Sequence, residues 1–167
     1  YELSYCYYQD KQWNKAIDGL KELGGKQDAL AQNSMYLLGD AYLHINEKTS
    51  ARNAFLFCSL NSSNAEQKEI STFNYAKLSY ELGFQDVALS ELKKFVTTYP
   101  SSSYNQEAKE LLVAVLSNTN NYKEALAMVE SLGTAQSEVV QRAYPRILYG
   151  RAVELINDQN IDQASVL

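Results

Sequence analysis

Prolines, glycines and histidines are scarce in this chain of 167 residues. It contains 2 prolines, 7 glycines and 1 histidine. So few turn-forming residues argue against a strand-rich fold with many tight turns. The single histidine, His44, has no ligand-type cluster around it, whereas a zinc site needs three or four converging ligands. We therefore expect no metal site and no cofactor.

Long apolar runs, basic stripes and catalytic motifs are also missing. No apolar run approaches the ~20 residues that cross a bilayer. The net charge is −5 and the lysines and arginines are scattered, which argues against a nucleic-acid partner. The chain has no Gly-rich phosphate loop, no Gly-x-Ser-x-Gly elbow and no His-Glu-x-x-His motif. We therefore expect that the protein is not an enzyme.

The chain has only 2 cysteines, Cys6 and Cys58. They are far apart in sequence and neither lies in a redox or metal-binding motif. We expect two small buried hydrophobic residues that stay reduced and unpaired, because cysteine is among the residue types most often buried.

What the chain does have is a repeat of small residues inside apolar helical patterns. Alanines recur at intervals of 35, 37, 37 and 39 residues, at Ala16, Ala51, Ala88, Ala125 and Ala164. Twelve residues before each of them lies a residue near the middle of another apolar stretch, namely Ser4, Gly39, Ala76, Val113 and Ala152. Two antiparallel helices need small residues where they cross, so this spacing predicts a tandem array of helical hairpins.

The apolar residues follow a 3.6-residue period that divides the array into five hairpins, each with a first helix (A) and a second helix (B). The repeat units are about 1–27, 28–63, 64–101, 102–136 and 137–167. The expected helices are about Tyr1–Gln9, Gln12–Leu23, Asp28–Ile45, Thr49–Leu60, Ala65–Leu82, Gln85–Thr98, Ser103–Ser117, Tyr122–Leu132, Ser137–Asn157 and Ile161–Leu167. Because the first and last hairpins are incomplete, we expect a single repeat array over 1–167 that is a fragment of a longer repeat protein.

Pro145 is the one residue that conflicts with this pattern. Either the helix from Ser137 is kinked there, or a short helix ends near Tyr144 and Pro145 begins another. One apolar face continues across the proline, which favours the kink; it comprises Val139, Val140, Ala143, Ile147 and Leu148.

Matching positions of each unit carry the same residue types. The second unit has Leu38-Gly39, Tyr42, Ala51, Phe55 and Cys58, and the third has Tyr75-Ala76, Ala88, Leu92, Phe95 and Pro100. This pattern resembles the tetratricopeptide repeat (TPR) family, and the resemblance extends over the whole chain. It implies an all-α fold, a right-handed α-α superhelix or solenoid of about five helical hairpins.

The junction of the third and fourth units carries a narrower motif. It reads Phe95-Val96-Thr97-Thr98-Tyr99-Pro100-Ser101-Ser102-Ser103-Tyr104, followed by Gln106-Glu107-Ala108. This junction is similar to one in bacterial cell-envelope repeat proteins, and the stretches 36–43 and 74–82 resemble large repeat proteins of the Bacteroidetes. The resemblance implies a periplasmic or envelope-associated protein.

Tyrosine is abundant, with 13 residues. In the TPR fold the A helices line a concave groove, and the resemblance places there Tyr5, Tyr8, Tyr36, Asp40, Leu43, His44, Phe73, Lys77 and Tyr80. Tyrosine gives a large contact area with few rotatable bonds and a hydroxyl for a partner's backbone, so we predict a groove for a protein or peptide segment. The alternative is that these rings stack between neighbouring A helices and only build the fold.

Asp40 bears on the kind of partner. Some TPR proteins hold a terminal carboxylate with a clamp of basic and amide side chains, but Tyr36 and Asp40 occupy the corresponding positions of the second unit here. Asp40 would repel a carboxylate.

Two functions remain open. The first is a non-enzymatic protein-interaction scaffold with an aromatic-lined groove, acting in cell-envelope assembly. The second is a structural spacer or a repeat segment that self-associates end to end.

Overall fold

The computed structural model describes residues 1–133 and 137–166. Within these residues the chain is all-α, with no strand. Its helices are α1 (Glu2–Gln9), α2 (Trp13–Leu20), α3 (Ala29–His44), α4 (Lys48–Ser59), α5 (Ala65–Glu81), α6 (Gln85–Thr98), α7 (Asn105–Asn118), α8 (Tyr122–Leu132) and α9 (Glu138–Val166). A 3-10 turn, Lys21–Leu23, extends α2. The predicted all-α array of helical hairpins is therefore confirmed.

The chain divides into two compact units, unit 1 from Tyr1 to Val87 and unit 2 from Ala88 to Leu167. In unit 1, α1 packs on α2, α2 on α3, α3 on α4 and α4 on α5. In unit 2, α7 packs on α8, and α9 packs on both of them. All nine predicted groove residues belong to unit 1.

The repeated alanines lie where the sequence predicts them, on the buried face of the B helices. Ala16, Ala51, Ala88 and Ala125 are completely buried. The apolar residues that follow them along each helix are buried as well, among them Leu20, Phe55, Cys58, Leu92, Phe95 and Val129. The fifth alanine, Ala164, lies outside the residues whose side chains the structure describes.

The turn between the helices of each hairpin is built in one way. A residue five positions before the repeated alanine adopts a positive φ, at Lys11 (58°), Asn46 (61°), Gly83 (85°) and Asn120 (61°). In the first hairpin the amide of Lys11 donates to Tyr8 at 3.0 Å and that of Gln12 donates to Tyr7 at 2.8 Å. Equivalent bonds occur in the next three hairpins. This is the Schellman arrangement, which satisfies the last carbonyls of the A helix.

Glycine allows close contact at the helix crossings. A Cβ added to Gly39 in α3 would lie 2.7 Å from the ring of Phe55 in α4. In unit 2, a Cβ on Gly150 in α9 would overlap the ring of Tyr122 in α8. The predicted crossing residue of that helix, Ala152, is exposed instead, so the prediction is wrong by two positions.

Helix α9 also corrects the expected end of the array. The sequence predicted a break after Asn157 and a new helix from Ile161, but α9 is continuous from Glu138 to Val166. Pro145 lies inside this helix, which excludes a helix that begins there. A run of polar residues lowers helix propensity without forbidding the helix, and no proline or glycine follows Gly150 to end it.

The two cysteines are both free, as expected. Cys58 is buried on the inner face of α4, and burial raises the pKa of its thiol. Cys6 is exposed on α1, which contradicts the expectation that both are buried.

Candidate functional site

The predicted groove residues of the first two hairpins converge on one carboxylate. The hydroxyl of Tyr8 in α1 donates to Oδ2 of Asp40 in α3 at 2.6 Å. Nε2 of His44, one turn further along α3, lies 3.3 Å from the same oxygen. The ring of His44 stacks on Trp13 of α2, with centroids 4.0 Å apart and planes within 5°. Three helices therefore hold Asp40 and its neighbours in place.

Tyrosine rings complete this surface. Tyr8 meets Trp13 edge to face at 5.5 Å. The pKa of Tyr8 is raised, chiefly by burial. Its hydrogen bond to Asp40 and the charge of that carboxylate raise the pKa further, and the neighbouring Tyr36 and Tyr5 contribute less. The set comprising Tyr5, Tyr8, Trp13, Tyr36, Asp40 and His44 is called the Asp40 cluster below.

The members of the cluster differ in how much of them a partner could reach. Tyr5 is 39% exposed and stacks against Tyr1, with centroids 6.0 Å apart. The side chain of Asp40 is 37% exposed and that of His44 is 49% exposed. Tyr36 is half-buried and meets the core ring of Phe55 edge to face at 6.3 Å. Tyr36 therefore also supports the packing of α3 on α4, as the structural alternative expects.

The remaining predicted residues lie on either side of the cluster. Leu43 is exposed on α3, next to His44. On α5, Lys77 and Tyr80 are half-buried. Phe73 corrects the prediction, because it is only 2% exposed and its ring contributes to the core rather than to a surface. Lys77 Nζ lies 6.0 Å from the centroid of that ring.

A second set of polar contacts involves the three A helices of unit 1, α1, α3 and α5. Nε2 of Gln67 in α5 donates to Oδ1 of Asn33 in α3 at 2.7 Å. Nδ2 of Asn33 in turn donates to the hydroxyl of Tyr1, just before α1. These contacts link α3 to α5 and to the residue that precedes α1.

Buried amide side chains fix the loops that lead into α5 and α7. Gln32, 1% exposed, donates to the carbonyls of Asn61 at 2.6 Å and Asn64 at 3.0 Å, and accepts from the amide of Asn64 at 2.6 Å. In unit 2, Asn105 donates to the carbonyls of Val96 at 3.2 Å and Tyr99 at 3.0 Å. The residues around Tyr99-Pro100 therefore have a packing role at the turn between α6 and α7.

Sequence reasoning missed Trp13 as part of this surface. Trp13 is the single tryptophan of the chain, and the repeat pattern does not indicate that it belongs to this surface. Its contact with His44 depends on how α2 lies against α3, which no local pattern specifies. Sequence reasoning also missed the contacts of Arg52 in α4. Its guanidinium lies 4.2 Å from the ring centroid of Phe84 and 4.8 Å from that of Tyr75.

The described part of the chain has open surface depressions but no metal-ligating cluster. There, no group of three or more histidine, cysteine, aspartate and glutamate side chains could hold a metal ion. An open depression of about 250 Å³ between α3, α4 and the end of α2 includes Met35, Tyr42 and Phe57. A second open depression, of about 320 Å³, lies at the start of α2 and includes Lys11, Trp13 and Lys15. The two volumes lie around the lower limit of the usual range of ligand pockets, roughly 300–1,000 Å³. None of the described helices is long and apolar enough to span a membrane.

Comparison with known proteins agrees with the fold. No family model matches the chain, and no curated protein matches it. The structure of a kinesin light chain-like protein of Podosopora anserina with nearly identical TPR-like repeats is similar, with a TM-score of 0.63 and 17% identity. The match covers 99% of this chain and 93% of that one.

A variant of the same protein gives the same coverage and identity, with a TM-score of 0.65. At this identity the likeness shows the fold alone, which is TPR-like. The resemblance to Bacteroidetes envelope proteins has no support from these comparisons.

Proposed function

We propose that the protein is a non-enzymatic protein-interaction scaffold that binds a segment of a partner on the surface formed by α1 and α3. TPR-like repeat folds generally serve as such scaffolds. The proposal commits to one surface, the Asp40 cluster with the adjoining Leu43. The observation that carries it is that the cluster's rings are reachable and yet held in place.

Held rings favour binding for an energetic reason. Association costs about 0.5–1.5 kcal/mol for each mobile side chain that it immobilises. In the Asp40 cluster the hydrogen bond from Tyr8 to Asp40 and the stacking of His44 on Trp13 have already restricted these side chains. A partner that covers them loses little further entropy and gains the burial of aromatic area.

The experiment compares two exposed tyrosines in the two units. Tyr5→Ala should weaken the binding of a peptide selected by the wild-type protein by about tenfold or more, as expected for an interface hot spot of about 1.4 kcal/mol or more. Tyr149→Ala is the matched control, because Tyr149 is 74% exposed on α9 in unit 2. Equal binding by both variants and the wild type would contradict the proposal, provided that circular dichroism shows both variants to be folded.

An envelope location is proposed on the motif Phe95–Tyr104 alone. Its turn residues also have a local packing role, because Asn105 bonds to the carbonyls of Val96 and Tyr99. Fractionation of cells that make the natural protein tests the location. Recovery with periplasmic or membrane markers supports it, and recovery only with cytoplasmic markers contradicts it.

A second candidate function is self-association through α9, in a protein that otherwise acts as a spacer. One face of this helix exposes apolar side chains, which we call the α9 face: Leu148, Tyr149, Val153, Leu155 and Ile156. We propose a second copy of the chain, aligned antiparallel, as the occupant of this face.

Charge supports the antiparallel alignment. The first half of α9 carries Arg142, Arg146 and Arg151, of which Arg142 is paired to Glu138 and Arg151 is paired to Glu154 at 3.1 Å. The second half carries three carboxylates and no basic residue up to Asp162, namely Glu154, Asp158 and Asp162. An antiparallel pair places the basic half of each copy along the acidic half of the other, whereas a parallel pair places like charges together.

Sedimentation velocity over a concentration series tests this second candidate. The wild-type protein should dimerise with rising concentration, and Ile156→Asp should remain a monomer. Leu3→Asp, at an exposed leucine of α1, should dimerise like the wild type. A wild-type protein that is monomeric at all concentrations, or an Ile156→Asp variant that still dimerises, would contradict it.

A further inference from the structure

The two helices that form the proposed surface are depleted of positive charge. Together α1 and α3 contain two carboxylates, Glu2 and Asp40, and no lysine or arginine. Along α1 and α3 the formal charge is therefore negative, which disfavours an acidic partner segment there.

Asp40 has one oxygen in use and one available. Oδ2 accepts from the Tyr8 hydroxyl at 2.6 Å and contacts His44 Nε2 at 3.3 Å. Oδ1 has no hydrogen bond to any described residue, and the side chain is 37% exposed. The contacts to Oδ2 fix the orientation of the carboxylate, so Oδ1 points in a defined direction.

The aromatic rings of the Asp40 cluster are a second source of attraction for cations. The faces of tyrosine rings carry partial negative charge and attract lysine and arginine side chains within about 6 Å. The chain itself contains such an arrangement: Arg52 lies between the rings of Tyr75 and Phe84 and donates to Ser79 Oγ at 2.8 Å. The Asp40 cluster combines rings and an oxygen acceptor in the same way but contains no lysine or arginine of its own.

We propose that the Asp40 cluster binds an arginine or lysine side chain of the partner segment, with Oδ1 of Asp40 as the acceptor and the rings of Tyr5 and Tyr8 beside the cation. This inference rests on the proposed function and specifies the chemistry of the partner. Arginine is preferred over lysine, because its planar guanidinium can stack on a ring while it donates to a carboxylate. A partner segment rich in carboxylates is rejected.

The test begins with a phage-displayed library of random 12-residue peptides, selected against the wild-type protein. The selected peptides should share a basic residue at one position. Replacing that arginine by citrulline, its neutral isostere, should weaken binding to the wild type by about tenfold, since hydrogen bonds to charged groups contribute about 1.5–3 kcal/mol. If lysine is the shared residue, norleucine serves as the neutral replacement.

The protein side of the test uses Asp40→Asn, with Asp18→Asn on the exposed face of α2 as its matched control. Asp40→Asn should weaken the binding of the basic peptide by about tenfold. Asp18→Asn should leave the affinity for this peptide within twofold of the wild-type value. Against Asp40→Asn the citrulline peptide should bind no worse than the arginine peptide, because the two changes remove the same interaction. This last comparison does not require the stability of the variant to equal that of the wild type.

The outcomes separate the two proposals. Selected peptides that lose binding to Tyr5→Ala but share no basic residue, or tolerate citrulline, overturn this inference and leave the proposed function standing. Selected peptides that bind Tyr5→Ala as well as the wild type overturn both, and so does a selection that enriches no sequence.

Discussion

The Asp40 cluster and the α9 face both expose aromatic side chains, but those of the cluster are held by contacts with other helices. In the cluster, Tyr8 donates to Asp40 and His44 stacks on Trp13, across three helices. On α9, Tyr149 is 74% exposed, and the buried contacts of the helix lie on its other side, at Val140, Ile147 and Gly150. Exposed rings therefore occur in two settings in this chain: on a surface where other helices hold them, and on an uncovered helix face.

This difference decides which surface can be specific. A ring that moves freely can contribute hydrophobic area but selects poorly between partners, because each partner must pay for its immobilisation. A carboxylate fixed by two contacts also has a defined direction for its remaining oxygen. We therefore propose the Asp40 cluster for recognition of a different protein and the α9 face for self-association.

The largest expected effect comes from filling the crossing beside the cluster. Gly39→Leu should destabilise the protein by about 1–3 kcal/mol or more, because any Cβ at Gly39 meets the fully buried ring of Phe55 at 2.7 Å. Gly25→Ala is the control, since no atom lies within 4 Å of the added Cβ. Chemical denaturation measures both, and a Gly39→Leu variant as stable as the wild type would show that the contact between α3 and α4 is wrong.

A smaller effect should follow from removing one hydroxyl of the cluster. Tyr8→Phe should lower the free energy of unfolding by about 1–2 kcal/mol, because it removes a hydrogen bond to a charged acceptor on a partly buried surface. Tyr149→Phe removes the same group from α9 and should change stability by less than about 0.5 kcal/mol. If both substitutions lowered the free energy of unfolding equally, the proposal that only the Asp40 cluster holds its side chains in place would be contradicted.

The stability difference between the wild type and Tyr8→Phe should depend on pH in a definite direction. The pKa of Tyr8 is raised in the folded protein. Its contribution to stability is therefore fully present below the ordinary pKa of tyrosine, about 10, and declines as the pH rises through the raised value. Denaturation at several pH values should show a constant difference between wild type and Tyr8→Phe up to about pH 10 and a smaller one above it. A difference that grows above pH 10 would contradict the assigned hydrogen bond.

The smallest effect concerns the turn that follows Tyr8. Lys11 adopts a positive φ of 58°, a conformation that costs a residue with a Cβ about 1–2 kcal/mol. Lys11→Gly removes this cost but also increases the conformational entropy of the unfolded chain, which offsets part of the gain. The net effect should be a stabilisation of unit 1 by about 0.5–1 kcal/mol. Asn120→Gly in unit 2 should give a smaller gain, because asparagine tolerates this conformation better. A loss of stability in Lys11→Gly, measured by denaturation, would contradict the described turn.

The fold was predictable because its determinants are local and repeated. The alanine spacing and the 3.6-residue stripes specify which face of each B helix is buried, and four of the five alanines are completely buried. The last helix was not predictable in this way. Gly150 and Ala152 are both small, and only the rotation of α9 against α8 decides which of them meets Tyr122. That rotation is set by packing, not by spacing.

The helix ends show the same limit. Gly24-Gly25, which follows α2, is a common signal for a left-handed cap, but Gly24 has φ −82°. Among the described residues, a positive φ occurs at Lys11, Asn46, Gly83, Asn120 and Gly133. Asn64 with Gln67 and Asn121 with Glu124 both have the spacing of a capping box. Oδ1 of Asn64 accepts from the amide of Gln67 at 3.0 Å, whereas Asn121 makes no side-chain cap. Loop closure and tertiary contacts can override a local cap signal.

The candidate site was predictable in its types of residue and less so in its contacts. The repeat register brought Tyr8, Asp40 and His44 to neighbouring A helices, where they do meet. It could not reveal Trp13, which reaches them from α2, or the burial of Phe73. The register says which helix a residue occupies, while its exposure depends on side chains from other hairpins. That these residues line a binding groove stays a prediction.

The most direct test of the central claim is to map the binding of a selected peptide by two-dimensional NMR of the isotope-labelled protein, which at 18.8 kDa is small enough for this method. We expect the largest shift changes on adding the peptide at the amides of Tyr5, Tyr8, Asp40 and His44 and at the indole of Trp13, with α9 unchanged. Shift changes concentrated at Leu148–Ile156, with α1 and α3 unaffected, would contradict the assignment of the binding surface.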